Sequence, residues 1–297
     1  MSKTLKATLC CLAGYSIYGF SFIFTKIALD DADPNVFLAI RFTIAFLILN
    51  LFILFGKSKI SLKGKPVKKL LLMGFIQPVV YFICESHGIA LTTASFSGII
   101  IGLVPVMGLV LGVIFLKETC SIFQIICTVL SVVGVALTTT GGIGKVSVKG
   151  LILLLISIVA TTVFSILSRS ISKEFSAFER SYVMTGLGSI SFITVALFTS
   201  GADINAWTEP FKSPSFVLSV LYLAVVSSVI AFTVINYALN YLNVGHTLIF
   251  SNFTAVISVL AGIIILGDSF TAVQLVGVAI IIASVFGVSI YKLKKEN

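Results

Sequence analysis

Charged side chains are scarce in this chain of 297 residues, since only 10% are Asp, Glu, Lys or Arg whereas 58% are hydrophobic. The two histidines lie far apart and no H-E-x-x-H sequence occurs, which argues against a membrane metalloenzyme. No G-x-x-x-x-G-K-[ST] sequence occurs either, so the chain has no phosphate-binding loop with which to drive a process by ATP hydrolysis. The five cysteines contain no C-x-x-C pair, so we expect neither a metal site nor a disulfide framework, and no cofactor.

The apolar residues fall into blocks of about twenty, the length that a helix needs to cross hydrocarbon. The alternating segments of about ten residues that mark a transmembrane barrel are absent from the sequence. The sequence therefore predicts an all-α membrane protein with ten transmembrane helices. They are expected at 6–29, 34–56, 67–89, 94–116, 121–140, 149–170, 178–200, 214–239, 244–266 and 271–291. The first segment resembles a secretory signal, but its length and the lack of an A-x-A-like cleavage site favour a retained helix.

A second version of residues 82–134 follows 150 residues later. The matches that carry most weight are a glycine, an acid that ends an apolar run and a glutamine, namely Gly112, Glu118 and Gln124 with Gly262, Asp268 and Gln274. Five helices per copy is an odd number, so the second copy would enter the membrane in the opposite sense. We therefore predict two inverted five-helix repeats, 1–140 and 149–297, joined by a linker at 141–148. Inverted repeats are typical of transporters.

Lysine and arginine are concentrated in loops that would lie on one side of the membrane, above all the loop 57–69. The loops of the other side hold only Lys145, Lys149 and Lys212. Because cytoplasmic loops are rich in these residues, both termini are predicted to face the cytoplasm, with the protein in the plasma membrane. The net charge of +9 follows this loop pattern, so nucleic acid is not an expected partner. The expected partners are the bilayer and a small-molecule substrate, and the oligomeric state stays open.

Four ionisable residues fall within predicted spans at similar depth: Lys26, Arg41, Glu85 and, nearer a span end, His87. A cation in hydrocarbon costs about 2.5–3.5 kcal/mol, so these side chains should face the protein interior or reach the interface. One interpretation is a substrate-binding or proton-coupling cluster in a central cavity, in which Glu85 holds an amine or a proton and the cations hold a carboxylate. The alternative is a structural salt bridge.

The second half has its own polar candidates, Asn236, Tyr237 and Asn252. They are predicted either to bind substrate or to form interhelical hydrogen bonds without ligand contact. In the first half, the pairs Gly98 with Gly102 and Gly108 with Gly112 lie on either side of Pro105. They predict close helix packing, and Pro105 is a candidate for a gating kink.

Several of these positions resemble the drug/metabolite transporter superfamily, in its branch of ten-helix proteins built from two EamA domains. The similarity covers about residues 6–140 and 149–291. The residues that carry it are Tyr18-Gly19-Phe20-Ser21 with Lys26, Pro34 with Arg41-Phe42, Thr92-Thr93-Ala94 with Pro105, then Glu118 and Gln124. This chain departs from the family pattern in having Tyr18 where tryptophan is common, Ala255 for a proline and Asp268 for a glutamate.

The resemblance implies a cavity between the halves, lined mainly by the first, third, fourth, sixth, eighth and ninth helices, and alternating access by rocking of the repeats. Tyr18 is then a further candidate for substrate binding. The sequence thus predicts a secondary transporter of small polar metabolites, most simply an exporter of amino acids or related amines, and not an enzyme. The alternatives are a multidrug or other metabolite permease and, from other classes, a membrane-embedded enzyme or a channel.

Overall fold

The computed structural model describes residues 3–56, 59–116, 121–140, 147–201, 203–242 and 244–296. These residues form helices and turns, and no strand occurs among them. Glu118 and most of the predicted linker 141–148 lie outside the described residues.

The described residues of the first half form six helical elements: α1 (Lys3–Asp31), α2 (Pro34–Leu54), α3 (Val67–Ala90), α4 (Ala94–Ile101), α5 (Val104–Leu116) and α6 (Ile122–Thr140). Asp33 caps α2 by accepting a hydrogen bond from the backbone N–H of Asn35. Pro34 follows in the first turn, where a missing N–H removes no helical hydrogen bond. Thr93 caps α4 in the same way through the N–H of Phe96.

The second half contains α7 (Val148–Ser170), α8 (Ala177–Ser200), α9 (Ile204–Thr208), α10 (Pro214–Tyr241), α11 (Val244–Ile249), α12 (Ser251–Leu266) and α13 (Ala272–Glu296). Ser176 and Glu179 form a reciprocal capping box at the start of α8. The segment between the predicted spans 178–200 and 214–239 holds the short α9 and a 3₁₀ turn at Glu209–Lys212.

Seven helical stretches among the described residues are long and apolar enough to cross a membrane. They correspond to α1, α2, α3, α4 with part of α5, α7, α8 and α10. Shorter apolar helices at Ile122–Leu137, Ser251–Leu266 and Ala272–Gly287 lie where the other three spans were predicted. The protein is therefore an all-helical, multi-pass membrane protein.

The contacts between the two halves are symmetric: a contact made by a helix of one half is also made by the corresponding helix of the other half. Helix α2 packs against α8, α4 against α12, and α6 against α13, so each of these pairs joins corresponding helices. The contact between α3 and α7 is matched by the contact between α10 and α1. Each half therefore buries apolar surface against the other half.

Helices α1 and α7, which begin the two halves, run in opposite directions. The ammonium group of Lys26, near the end of α1, donates hydrogen bonds to the carbonyl oxygens of Ile89 and Thr92 at the end of α3. The backbone N–H of Ser147, at the start of α7, donates to the carbonyl oxygen of Leu91 at the same place. The end of α1 and the start of α7 thus lie on one side of the molecule, which fits an inverted duplication.

The contact between α4 and α12 is close because glycine faces it. A Cβ atom added at Gly98 would lie 1.7 Å from Ser258 Oγ, and one added at Gly102 would lie 2.5 Å from Ala255 Cβ. The close packing predicted for this glycine pair is confirmed. The helix is interrupted between Ile101 and Val104, that is, before Pro105. Pro105 therefore lies in the first turn of α5, where a proline is tolerated.

Candidate functional site

A cavity lies between the two halves of the chain. Its walls come from α1, α2, α3, α4, α5, α7, α10 and α12, so both halves contribute. Aromatic and aliphatic side chains form most of the lining and a few polar groups interrupt them, which is the usual composition of a small-molecule site. The lining residues are Tyr15, Tyr18, Ser21, Phe22, Arg41, Gln77, Tyr81, Phe82, Glu85, Ile101, Val104, Thr161, Phe164, Ser165, Ser227, Ile235, Ser251 and Thr254.

Arg41 enters the cavity from α2 and is only 1% exposed. Its Nε donates a hydrogen bond of 3.0 Å to Ser228 Oγ, and its Nη2 donates one of 3.2 Å to Ser227 Oγ. The guanidinium carbon also lies 4.5 Å from the centre of the Phe82 ring and 5.5 Å from that of Phe42. A guanidinium group suits such a place because it is weakly hydrated and stacks on aromatic faces. The serines and the rings therefore fix the direction of this cation.

Glu85 faces the same cavity from α3 and is 6% exposed. Its Oε1 accepts a hydrogen bond of 2.8 Å from the hydroxyl group of Tyr81, which lies one helical turn earlier on the same face. Among the described residues, no protein group donates a hydrogen bond to Oε2. This oxygen is therefore left for a donor that enters the cavity.

Arg41 and Glu85 share the cavity without forming an ion pair with each other. No nitrogen of Arg41 lies within 4.0 Å of a carboxylate oxygen of Glu85, and the ion pairs found among the described residues are Lys65 with Glu179 and Lys212 with Glu209. Two buried opposite charges more than 4.0 Å apart still attract each other. Because they do not bind each other directly, both Arg41 and Glu85 can still form hydrogen bonds with a ligand. The arrangement can bind one molecule that carries both charges, or a proton on Glu85.

Tyr18 lies on the cavity wall beside these charged groups. Its ring meets the rings of Tyr15 and Phe232 edge to face, at centroid distances of 6.0 and 6.1 Å. Aromatic packing of this kind holds a ring firmly, so Tyr18 forms a fixed part of the wall.

Lys26 and His87 lie apart from the cavity lining, so the structure does not gather the predicted four-residue cluster around one space. Lys26 instead binds the carbonyl oxygens of Ile89 and Thr92 at the C-terminal end of α3, at 3.1 and 2.8 Å. The ring Nδ1 of His87 lies 2.9 Å from the carbonyl oxygen of Ile83, one turn earlier in its own helix.

The three candidates of the second half also lie away from the cavity lining. Asn236 is fully buried, accepts a hydrogen bond from Ser168 Oγ and donates one to Ser181 Oγ, and so joins α7, α8 and α10. The ring of Tyr237 lies 5.5 Å from the ammonium nitrogen of Lys6. Asn252 borders a smaller apolar space between α12 and α13.

Other cavity residues were not singled out from the sequence, chiefly Gln77, Tyr81 and Ser227. One signal was present, because Gln77, Tyr81 and Glu85 recur every four residues and therefore tend towards one helix face. Nothing local distinguishes Ser227 from other serines. Within the described part of the chain, no group of three or more His, Cys, Asp or Glu residues could hold a metal ion.

The similarity to known transporters extends over nearly the whole chain. A family model described as the EamA-like transporter family matches twice, at residues 5–140 and 148–290. The uncharacterized transporter YcxC of Bacillus subtilis (strain 168) is 33% identical over 286 residues, which cover 95% of this chain and 92% of that protein. The WAT1-related protein At1g21890 of Arabidopsis thaliana is 24% identical over 329 residues, covering 97% and 84%.

A solved crystal structure has the same fold. It matches 96% of this chain and 98% of its own chain with a TM-score of 0.70, at 16% sequence identity. At this identity the likeness concerns the fold alone.

Proposed function

The chain belongs to the EamA-like transporter family, and we propose that it is a secondary transporter that carries small polar metabolites across the membrane by alternating access. The proposed substrates are amino acids or related amines, and the proposed direction is export. Relatives that cover most of the chain carry the names of transporters, which favours transport over an enzymatic role. The nearest alternative is a permease for drugs or for another class of metabolite.

The observation that carries this proposal is the presence of Arg41 and Glu85 in one cavity without a direct ion pair. An amino acid presents the complementary charges, since its carboxylate can bind the guanidinium group and its ammonium group can bind Oε2 of Glu85. A bound zwitterion would supply each buried charge with a partner, which the protein alone supplies only in part. An uncharged solute would give neither buried charge an oppositely charged partner.

We further propose that Glu85 carries the proton of a proton-coupled cycle. A carboxylate that lies in a mostly apolar cavity favours either a proton or a bound ammonium group, because both remove its charge. The proton and the amine would then compete for one oxygen. Such competition couples the movement of one to the opposite movement of the other.

The architecture that we propose is ten spans in two inverted five-helix repeats, 1–140 and 149–297 with the linker 141–148. It is supported by the matched packing of corresponding helices and by the opposite directions of α1 and α7. Lys65 binds Glu179, so the lysine-rich loop after α2 and the start of α8 lie on one side. We propose that this side, with both termini, faces the cytoplasm of a plasma-membrane protein.

The test is solute flux in proteoliposomes that contain only this chain. Labelled amino acids and amines are screened with and without a pH gradient. We expect saturable flux of at least one of them, and we expect Glu85→Gln to reduce the gradient-driven component by about tenfold or more, which corresponds to about 1.4 kcal/mol. The matched control is Glu209→Gln, which makes the same chemical change at an exposed carboxylate that binds Lys212.

Other outcomes favour the alternatives. Flux of drugs or other metabolites without flux of amino acids or amines would support the other permease classes. Current that does not saturate with solute would indicate a channel. Unchanged gradient-driven flux in Glu85→Gln would exclude Glu85 as the proton carrier.

A further inference from the structure

Helix α3 is broken where it borders the cavity. Two helical stretches meet at a kink within Phe75–Val80, where Gln77 has φ −132° and ψ 112°, which is extended rather than helical. Pro78 follows and has no N–H to donate. The side chain of Gln77 leaves the backbone at this break and lies in the cavity wall.

Among the residues that the structure describes, the side-chain oxygen of Gln77 has no hydrogen-bond partner, although the residue is only 3% exposed. A buried amide oxygen without a donor is unfavourable, because it has given up its hydrogen bonds to water. The nitrogen and oxygen of an amide can exchange places by rotation, so the group can present either atom to the cavity. A molecule inside the cavity can therefore pair with this amide.

A second irregular segment occurs at the corresponding place in the other half. Residues Tyr222–Ala231 of α10 are π-helical, and Ser227 and Ser228 follow Gln77 and Pro78 by the same 150 residues that separate the two copies in sequence. Interrupted helices at corresponding positions of two repeats mark the binding site in transporters of this architecture. Ser227 and Ser228 already bind Arg41, whereas the oxygen of Gln77 is unpaired.

Gln77 and Glu85 lie in the same segment of the chain, on either side of Tyr81, and both line the cavity. An amino acid bound to Glu85 through its ammonium group can therefore present its side chain to Gln77.

We infer that Gln77 determines substrate specificity by binding the far end of the substrate, and that the favoured substrates are amino acids whose side chain ends in a carboxamide. A carboxamide carries both N–H donors and a carbonyl acceptor, so it can pair with the amide of Gln77 through two hydrogen bonds in either orientation. An aliphatic side chain of the same length would leave that amide buried and unpaired. The inference rests on the proposed function, because it needs the charged head of the substrate at Arg41 and Glu85.

The test compares L-glutamine with L-norleucine, which has a side chain of similar length without the amide. The ratio of their kcat/KM values is measured in proteoliposomes for the natural chain and for Gln77→Leu, after both pass the same gel-filtration check. We expect glutamine to be favoured by about tenfold or more in the natural chain. In Gln77→Leu the ratio should fall by about tenfold, with a slower flux of glutamine and a faster flux of norleucine.

A purely structural role of Gln77 would slow both substrates together and leave the ratio unchanged, which would overturn the inference. A second measurement needs no variant: glutamine should raise the melting temperature of the natural chain more than norleucine at equal concentration, and an equal or smaller rise would also overturn it. If other amino acids are transported without preference for a carboxamide, the inference fails and the proposed function stands. If no amino acid or amine crosses, both fail.

Discussion

Arg180 is a fully buried arginine without an acidic partner, since no carboxylate oxygen lies within 4.0 Å of its nitrogens in the described part of the chain. Its Nη1 donates to the backbone oxygen and the hydroxyl group of Ser168 at the end of α7. Its Nη2 donates to the backbone oxygen of Asn236 and the side-chain oxygen of Asn240 in α10. One side chain of α8 therefore ties together the ends of two other helices.

We expect Arg180→Met to destabilise the protein by about 2–3 kcal/mol, because it leaves buried oxygen atoms without donors. The measurement is the melting temperature in detergent, which should fall by several degrees. The control is Lys173→Met, which removes the same charge from an exposed position in the turn before α8. Equal melting temperatures for the two variants would contradict a structural role for Arg180.

The residues of the cavity could be foreseen only in part. Arg41 and Glu85 were predicted to lie together because charged groups at equal depth in hydrocarbon tend to meet, and the structure brings both to one cavity. The partners of Lys26 are backbone oxygens, which no side-chain pattern reveals. The side chain of Asn236 binds Ser168 and Ser181, which are 68 and 55 residues away in sequence, and only the tertiary packing of α7 and α8 against α10 brings them together.

At the scale of helices, the contact between α4 and α12 joins the two halves. Gly98 and Gly102 let the two backbones approach, and Asp268 Oδ2 accepts a hydrogen bond of 3.2 Å from the N–H of Ser95 in the first turn of α4. An acid at this position also interacts favourably with the positive end of the helix dipole. The repeated acid noticed in the sequence thus has a physical role in the second half.

We expect Gly98→Ala to destabilise the protein by about 1–3 kcal/mol, because its Cβ would overlap Ser258 Oγ. Combining it with Ser258→Gly should restore most of the loss, since that change removes the overlapping atom. The control is Gly108→Ala, whose Cβ would meet only the flexible end of Leu248, at 3.2 Å. The melting temperatures of the natural chain and of the three variants are compared. A double variant that melts no higher than Gly98→Ala would contradict this explanation of the contact.

Helix positions could be predicted closely because apolar blocks of fixed length define them. The predicted span 34–56 corresponds to α2, and the predicted span 149–170 corresponds to α7. The interruption of α3 at Gln77 was not predicted, although Pro78 is the usual signal for one, because prolines are also tolerated within transmembrane helices. The π-helical part of α10 contains no proline, and an extra residue in a helical turn leaves no mark in composition.

At the scale of the whole molecule, the account depends on two halves that lie upside down relative to each other. The loops between the second and third helices of each half would then face opposite sides of the membrane. Lys63 lies in this loop of the first half and Glu209 lies in the corresponding loop of the second half, and both residues are exposed.

In a cysteine-free chain, we expect Lys63→Cys to react with a membrane-impermeant thiol reagent from the cytoplasmic side and Glu209→Cys to react from the other side. Intact cells and inverted vesicles distinguish the two sides. Reaction of both positions from the same side would mean that the halves run in the same direction, and the proposed architecture would be wrong.

The central claim is that the cavity between the halves opens to each side of the membrane in turn. The most direct measurement uses Thr161→Cys in a cysteine-free chain, because Thr161 lines the cavity from α7. The control is Ile190→Cys, on a surface that is 65% exposed and apolar, which should stay unmodified in the bilayer. The account predicts that an impermeant thiol reagent modifies Thr161→Cys from either side and that a transported solute slows both reactions. Modification from one side only, or from neither, would contradict it.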